Sequence, residues 1–150
     1  MSVVVRAATR ADERTVLDLV EELFDPPARR PPGYTRERGA AGFRAALARP
    51  DADALVAEDG GVLVGFSSVY VDIVSIRFGP RCWLQDLVVT AARRSTGVGG
   101  LLLDASAAWA RARGCTHLEL TSANTRKDAH RFYVAAGMAQ SSLCFSLPLA

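Results

Sequence analysis

The stretch that most clearly indicates chemistry is residues 83–100, where an apolar segment passes through a basic, glycine-rich loop into a helical pattern. Three glycines mark the predicted start of that helix: Gly97, Gly99 and Gly100. Backbone N–H groups at a helix N-terminus lack intrahelical acceptors and carry partial positive charge, and glycine lets an anion approach them closely. Arg93 and Arg94 add formal positive charge. The pattern predicts a polyphosphate site; the alternative is that the glycines only allow tight packing of the helix start.

The loop departs from two common phosphate-binding patterns. It is not followed by the Gly-Lys-Ser/Thr of a P-loop, and it lacks the third glycine of the G-x-G-x-x-G dinucleotide fingerprint. An enzyme that acts on nucleoside triphosphates through a P-loop is therefore excluded.

Two segments resemble motifs of the GNAT superfamily of N-acetyltransferases. Residues 94–99, Arg-Ser-Thr-Gly-Val-Gly, look like the R/Q-x-x-G-x-G/A motif, which in that family wraps the pyrophosphate of acetyl-coenzyme A. Residues 129–138, from Ala129 to Met138, look like the A-x-x-F-Y-x-x-x-G-F/M segment of the same family. Residues 5–9 and the helix after them resemble the family's start, so the resemblance covers essentially the whole chain.

The resemblance implies acetyl-coenzyme A as co-substrate, held by two sets of contacts. Its pantetheine arm would pair with backbone groups of Leu87, Val88 and Val89, between splayed fourth and fifth strands predicted at 83–89 and 116–121. Its pyrophosphate would lie against the loop and helix start, which comprise Arg94, Ser95, Thr96, Gly97, Val98, Gly99 and Gly100. Ser95 stands where the family often has glycine.

A further cofactor ligand is less clearly placed by the resemblance. Many family members carry asparagine three residues before the alanine of the second motif, where this chain has Arg126. Asn124, two residues earlier, is a candidate cofactor ligand. Arg126 either reaches a phosphate or faces solvent.

Acetyl transfer to an amine also needs a group that handles the amine proton. An alkylamine with a pKa of about 10.4 is neutral in only about one molecule in 2,500 at pH 7. Asp86 is predicted to take that proton through water or to hold the ammonium group; its alternative is a purely structural carboxylate. Strand alternation puts Asp86 and Gln85 on opposite faces, unless a bulge, expected near Leu87, realigns them. Asp72 and Glu119 are weaker acidic candidates.

The resemblance assigns the remaining chemistry to two residues. The N–H of Leu87 would polarise the thioester carbonyl as an oxyanion donor, and Tyr133 would protonate the departing thiolate as general acid. Without the resemblance, both Phe132 and Tyr133 would be interpreted as core aromatics.

Hydrophobic periodicity indicates an α/β (α+β) framework for these residues. The first helix is predicted to follow Thr9, with Asp12 completing a capping box. The predicted strands are 3–7, 55–57, 62–75, 83–89, 116–121 and 138–149, and the predicted helices are 9–24, 35–48, 96–113 and 125–136. We expect a GNAT-like mixed, mostly antiparallel central sheet of six to seven strands, flanked by about four helices, with strands four and five splayed.

Length and composition limit the other options. The chain has 150 residues, 49% of them hydrophobic, and a net charge of +2. These values predict a single domain over residues 1–150 and argue against a protein that coats nucleic acid or membrane. The N-terminus does not resemble a signal peptide, and the three cysteines and two histidines show no metal-ligand spacing. We expect a cytoplasmic protein that holds no metal.

The sequence thus predicts an N-acetyltransferase that moves the acetyl group of acetyl-coenzyme A to a primary amine of a small molecule, by direct attack in a ternary complex. The alternatives are a non-catalytic module that senses acyl-coenzyme A, and an acetyltransferase acting on a peptide or protein amine. Acidic residues near the cleft favour a cationic acceptor, whereas Arg77, Arg81 and residues 29–38 favour an anionic one. A homodimer is expected, as is common in the family.

Overall fold

The computed structural model describes residues 2–72 and 74–149, which leaves Met1, Ile73 and Ala150 outside the description. Within this part of the chain, one sheet contains five strands in the order β1-β2-β3-β4-β5. The first four strands pair antiparallel, and β5 pairs parallel with β4. The strands are β1 (Val3–Ala7), β2 (Ala52–Asp59), β3 (Val62–Val71), β4 (Arg81–Val89) and β5 (His117–Glu119).

Four α-helices accompany these strands in the described residues: α1 (Glu13–Glu22), α2 (Arg36–Ala48), α3 (Val98–Ala112) and α4 (Lys127–Ala135). Short 3-10 turns precede α1 at Arg10–Asp12 and follow β4 at Ala91–Arg93. The predicted capping contact at the first helix is present, because the backbone N–H of Thr9 donates to Asp12 at 2.8 Å. Thr35 caps α2 by accepting from the N–H of Arg38 at 3.1 Å.

Helices cover both faces of the sheet, as predicted. On one face, Val16 and Leu19 of α1 and Phe43 of α2 pack against the strand residues Val56, Phe66 and Val88. On the other face, Val98 and Leu102 of α3 pack against Ala57 and Val64. Burial of apolar area on both faces stabilises the strands that carry the candidate site.

The chain divides into two compact units, Met1–Glu119 and Leu120–Ala150. The N-terminal unit contains the sheet with α1, α2 and α3, and the C-terminal unit contains α4. The single domain over residues 1–150 stays a prediction.

Two strand predictions were wrong. Residues 138–149 contain no strand, so the sheet has five strands in the described residues rather than six to seven. Leu143, Phe145 and Leu147 alternate in this segment but are largely exposed, and alternation does not provide the hydrogen-bonding neighbour that a strand needs. The strand predicted at 62–75 ends at Val71, before Ile73, which is not described.

Candidate active site

A β-bulge in β4 sets the direction of the acidic side chain. Asp86 pairs with Ser68 of β3, whereas Leu84 pairs with the next residue, Val69, so Gln85 is the extra residue. An extra residue in one strand shifts the alternation of the side chains that follow it. The bulge that the sequence analysis placed near Leu87 is therefore centred on Gln85.

The bulge brings Gln85 and Asp86 to one face. Trp83 pairs with Tyr70 and Asp86 pairs with Ser68, and paired residues share a face, as do residues two apart in β3. The indole N–H of Trp83 donates to the side-chain oxygen of Gln85 at 2.8 Å, which keeps Gln85 beside it. Simple strand alternation would have placed Gln85 and Asp86 on opposite faces, and the bulge instead places them on the same face.

The carboxyl of Asp86 is partly buried and has a hydrogen-bonding partner. Its Oδ2 accepts from the hydroxyl of Ser68 at 2.8 Å. Burial raises the pKa of Asp86, and the Ser68 bond opposes that rise only in part. A carboxyl in this state binds a proton more readily than an exposed one, as a group that exchanges protons with a substrate requires.

An open cavity of about 370 Å³ is lined by Tyr70, which shares a face of the sheet with Asp86, although Asp86 itself is not among the lining residues. Small residues of α2, which include Gly42 and Ala45, line it as well. Burial, Asp72 and Asp86 raise the pKa of Tyr70. A cavity of this size is in the range of small-molecule sites.

The other two acidic candidates are engaged in ion pairs. Arg81 contacts Asp72, and its Nη1 lies 3.0 Å from Glu119 Oε2. Glu119 also lies 3.1 Å from Nε2 of His117. Arg81 is thus matched by two carboxylates and adds little net positive charge to this face.

Strand β5 ends while β4 continues. In the described residues, β5 pairs with β4 only through Arg81, Cys82 and Trp83, although β4 continues to Val89. The second half of β4 is therefore an open edge within the N-terminal unit. The splay of the fourth and fifth strands stays a prediction, because β5 pairs with β4 over its whole length.

The register of β4 shows which amides face the open edge. The N–H of Thr90 donates to the carbonyl of Val64 on β3 at 2.9 Å. Since hydrogen-bonded and non-hydrogen-bonded pairs alternate in an antiparallel ladder, the amide of Val88 belongs to β3, and those of Leu87 and Val89 point away from it. The side chains of Leu87 and Val89 pack on the α3 face, so the backbone groups stay in place.

The loop after β4 has an unusual backbone. Ser95 has a φ of 60° and Gly97 a φ of 94°, both in the left-handed region. Gly97 is the N-cap of α3, and the first helical bond runs from the N–H of Leu101 to its carbonyl at 3.2 Å. The N–H groups of the first helical turn, which begins at Val98, precede that bond and lack acceptors within the helix.

Space around this helix start is open. An added Cβ at Gly97 or Gly100 would meet nothing within 4 Å. Val98 is buried and anchors the helix to the α3 core. The combination of free amides, open space and a fixed helix is what an anion-binding loop requires.

The two arginines of the loop are not equivalent. Arg93 lies 2.8 Å from Asp59 at the end of β2, so its charge is matched by a carboxylate. Arg94 is exposed, and its Nε donates to the carbonyl of Val89 at 3.2 Å. Of the two, Arg94 is the better candidate for a phosphate contact.

The C-terminal unit holds the remaining predicted residues. Tyr133 lies on α4, with its ring 5.3 Å from that of Phe132 in an edge-to-face contact. Burial raises the pKa of Tyr133, and the charge of Arg126 opposes the rise. Arg126 is the N-cap of α4 and is partly buried, and Asn124 is exposed in the preceding turn.

Sequence reasoning missed three residues that hold the site: Glu22, Asp59 and Ser68. Each contacts a residue that is distant in the chain, with separations of 69, 34 and 18 positions. No motif links them to their partners, so only the fold shows the contacts.

Two further findings concern features that the sequence analysis excluded. In residues 2–72 and 74–149, no three His, Cys, Asp or Glu side chains come together as a metal site would require. The helices of the same residues include none with the length and hydropathy needed to cross a membrane.

Known proteins resemble this chain in fold. An aminoglycoside N-acetyltransferase, AAC(6')-Iy, solved in complex with CoA, superposes with a TM-score of 0.86 at 16% identity, over 99% of this chain and 95% of that chain. The chain therefore shares the fold of that N-acetyltransferase.

Sequence comparisons identify the family. Residues 16–138 match the acetyltransferase (GNAT) family. The aminoalkylphosphonate N-acetyltransferase of Salmonella typhimurium is 31% identical over 145 residues, 97% of this chain and 90% of that protein. The uncharacterized N-acetyltransferase YhdJ of Bacillus subtilis is 46% identical over 77 residues, a match that covers 51% of this chain and 54% of that protein. The chain belongs to the GNAT family and is an N-acetyltransferase.

Proposed function

We propose that this enzyme transfers the acetyl group of acetyl-coenzyme A to a primary amine of a small molecule, by direct attack in a ternary complex. The observation that carries the proposal is the direction of two amides. The N–H groups of Leu87 and Val89 point to the open edge of β4, and the loop directly after this strand presents free amides at the start of α3. One extended cofactor with a diphosphate would meet both features.

In this proposal, the pantetheine arm lies along the open edge of β4 and is held as an added strand would be. The register supports Leu87 and Val89 for this role, because their amides are turned away from β3. It does not support a contact through the amide of Val88, which belongs to the β3 ladder. The N–H of Leu87 stabilises the negative charge that develops on the thioester oxygen.

The diphosphate lies at the helix start, against residues 94–100. Its charge interacts favourably with the unpaired amides of the first turn and with Arg94. Bound structures of the fold neighbour AAC(6')-Iy contain CoA, which supports this cofactor. Asn124 of the C-terminal unit remains a proposed additional ligand.

Asp86 handles the acceptor amine. Its carboxyl shares a face of the sheet with Tyr70, which lines the 370 Å³ cavity, and its raised pKa suits a group that takes up a proton. After the amine attacks the thioester carbon, the carbon–sulfur bond breaks, and Tyr133 is proposed to give its phenolic proton to the sulfur. The amine proton leaves through Asp86 or water.

A small-molecule acceptor is supported by two observations. The cavity lined by Tyr70 has a volume of about 370 Å³, and the Salmonella typhimurium relative is named for an aminoalkylphosphonate. Cytoplasmic location and a homodimer remain proposals that stand on the sequence alone.

Titration of acetyl-CoA into the purified protein tests the cofactor site, with two matched variants. Gly100→Glu places a negative charge in open space at the helix start, and Gly100→Gln places a neutral side chain of the same shape there. Gly100 has no left-handed φ, so neither substitution strains the backbone as one at Gly97 would.

We expect Gly100→Glu to weaken acetyl-CoA binding at least tenfold more than Gly100→Gln, because only the former repels the diphosphate. Equal binding by both variants would contradict a diphosphate at this helix start. A screen of amines for release of free CoA then tests turnover. A protein that binds acetyl-CoA and acetylates no amine would instead be the acyl-CoA sensor.

A further inference from the structure

Glu22, the last residue of α1, contacts the turn that leads into the cofactor loop. Its Oε2 accepts from the hydroxyl of Thr90 at 3.0 Å, and its Oε1 accepts from the N–H of Ala91 at 3.1 Å. The 3-10 turn Ala91–Arg93 has no cap from the side chain of its own N-cap residue, Thr90. A carboxylate from another element therefore caps this turn.

The loop is also held by a second element, β2. Arg93 pairs with Asp59 of β2 at 2.8 Å, and the hydroxyl of Thr96 donates to the carbonyl of Arg93 at 2.5 Å. The segment between β4 and α3 is thus fixed by α1 at its start and by β2 in its middle. The left-handed backbone at Ser95 and Gly97 follows directly after these fixed points.

Glu22 places a negative charge next to the proposed diphosphate site. A carboxylate beside a loop that binds a diphosphate repels that ligand, so electrostatics alone disfavours it. Its Oε1 also lies 3.9 Å from Arg94, where it offsets part of the positive charge available to the phosphates. Glu22 can favour cofactor binding only by fixing the loop geometry.

We propose that Glu22 is a positioning residue for the diphosphate loop: by capping the turn at Ala91, it holds the free amides of residues 95–100 in the arrangement that binds the cofactor. This inference rests on the proposed function. Removal of the Glu22 charge distinguishes this role from a purely electrostatic one. If Glu22 positions the loop, acetyl-CoA should bind more weakly; if it only repels the diphosphate, acetyl-CoA should bind more tightly.

The test compares Glu22→Gln with Glu21→Gln, its neighbour in the chain. Glu21 instead contacts the α1–α2 segment, through the hydroxyl of Tyr34 at 3.0 Å and Arg36 at 2.9 Å. Each variant is assayed with acetyl-CoA and with S-acetylpantetheine, which has the thioester and arm but no diphosphate. A loss of general stability would affect both donors, whereas a loss of loop geometry affects only acetyl-CoA.

We expect Glu22→Gln to raise the KM for acetyl-CoA about tenfold, since both hydrogen bonds to the turn lose their charge assistance and the Thr90 bond has to reverse its direction. The KM for S-acetylpantetheine and kcat should not change, and Glu21→Gln should leave the acetyl-CoA KM unchanged. Thr90→Val, which removes one partner of Glu22 and keeps its charge, should shift the acetyl-CoA KM in the same direction. This variant keeps the test open if Glu22→Gln fails to fold.

An unchanged or lower KM for acetyl-CoA in Glu22→Gln would overturn the inference, and so would equal losses with both donors. If the wild-type protein binds no acetyl-CoA, the proposed function itself fails. That outcome differs from a failure of the inference, in which the wild type binds and the variant binds equally well.

Discussion

Asp86 of β4 accepts a hydrogen bond of 2.8 Å from Ser68, its register partner on β3. This contact exists because Gln85 is the extra residue of a bulge, which turns the carboxyl toward the face that α1 and α2 cover. The same contact limits the cost of burying the carboxyl, because a buried oxygen with a hydroxyl donor is less costly than one without. Burial still raises its pKa.

The raised pKa of Asp86 predicts a pH-dependent cost to stability. Because the folded pKa lies above the usual 3.8, the stabilisation from the protonated carboxyl is complete below pH 3.8 and is lost as pH rises through the folded pKa. Asp86→Asn does not ionise and can keep the Ser68 bond. We therefore expect the unfolding free energy of Asp86→Asn minus that of wild type to be larger at pH 7 than at pH 3.5. Urea denaturation of both proteins at the two pH values measures this difference.

The exposed Asp104 of α3 offers a control for this comparison, since it lies outside the β4 bulge. Asp104→Asn removes a carboxylate of the same type from an exposed helix position and is measured in parallel at both pH values. A difference between Asp86→Asn and wild type that does not vary with pH would contradict the buried, proton-binding carboxyl.

Asp86→Asn should also slow acetyl transfer if this carboxyl accepts the amine proton. At pH 7 we expect a loss in kcat/KM of the order of 10² for an alkylamine, the lower end for a general base. The loss should shrink as the pH approaches the amine pKa of about 10, where free amine is abundant. A loss that is constant from pH 7 to 9.5 would indicate that Asp86 only holds the substrate.

The pKa of Asp12 is shifted in the opposite direction to that of Asp86, so its effect on stability has the opposite pH dependence. Its carboxylate receives hydrogen bonds from Arg6 at 2.8 and 3.0 Å, and from the N–H of Thr9, and its pKa is lowered to about 2, chiefly by Arg6. A depressed folded pKa contributes stability that is present above pH 3.8 and lost as pH falls toward about 2. Asp12→Asn should cost about 2 kcal/mol at pH 7 and progressively less as pH falls. Asp18→Asn, on an exposed pair with Arg36, should cost well under about 1 kcal/mol.

The sequence predicted correctly those structural features that depend on residues close together in the chain. The capping contact between Thr9 and Asp12 and the helix start at Gly97 each depend on residues within a few positions. The bulge at Gln85 was foreseen only as an alternative, because alternation carries no sign of an inserted residue. The strand predicted after Met138 failed because strand formation depends on a distant hydrogen-bonding neighbour.

The loop contacts illustrate the same limit. Residues 94–99 matched a family motif, so the loop was identified without the structure. Its supports could not be, because Glu22 and Asp59 approach it from α1 and β2. Pairing of Arg93 with Asp59 also changes the predicted role of Arg93, whose charge the sequence had assigned to the phosphate site.

The left-handed backbone at Ser95 should affect both stability and cofactor binding. A non-glycine residue at a φ of 60° carries a cost of about 1–2 kcal/mol, and glycine removes it at the expense of about 0.4–1 kcal/mol in the unfolded state. Ser95→Gly should therefore keep or raise stability by up to about 1.6 kcal/mol in urea unfolding. Ser95→Val, which is β-branched, should lower stability and weaken acetyl-CoA binding. Equal binding by both variants would show that the left-handed backbone is not needed for the cofactor.

Substitution of Tyr133 tests the proposed protonation of the departing thiolate. Burial raises the pKa of its phenol, so the group is protonated at neutral pH and has a proton to give to the departing sulfur. Tyr133→Phe removes that proton and keeps the ring against Phe132, so kcat should fall about 10²–10⁴-fold while the Kd for acetyl-CoA stays within about twofold. Tyr34→Phe, which removes a hydroxyl bound to Glu21, controls for loss of a tyrosine hydroxyl elsewhere and should keep kcat. An unchanged kcat in Tyr133→Phe would mean that water protonates the leaving thiolate, since the phenol is then dispensable while the cofactor still binds.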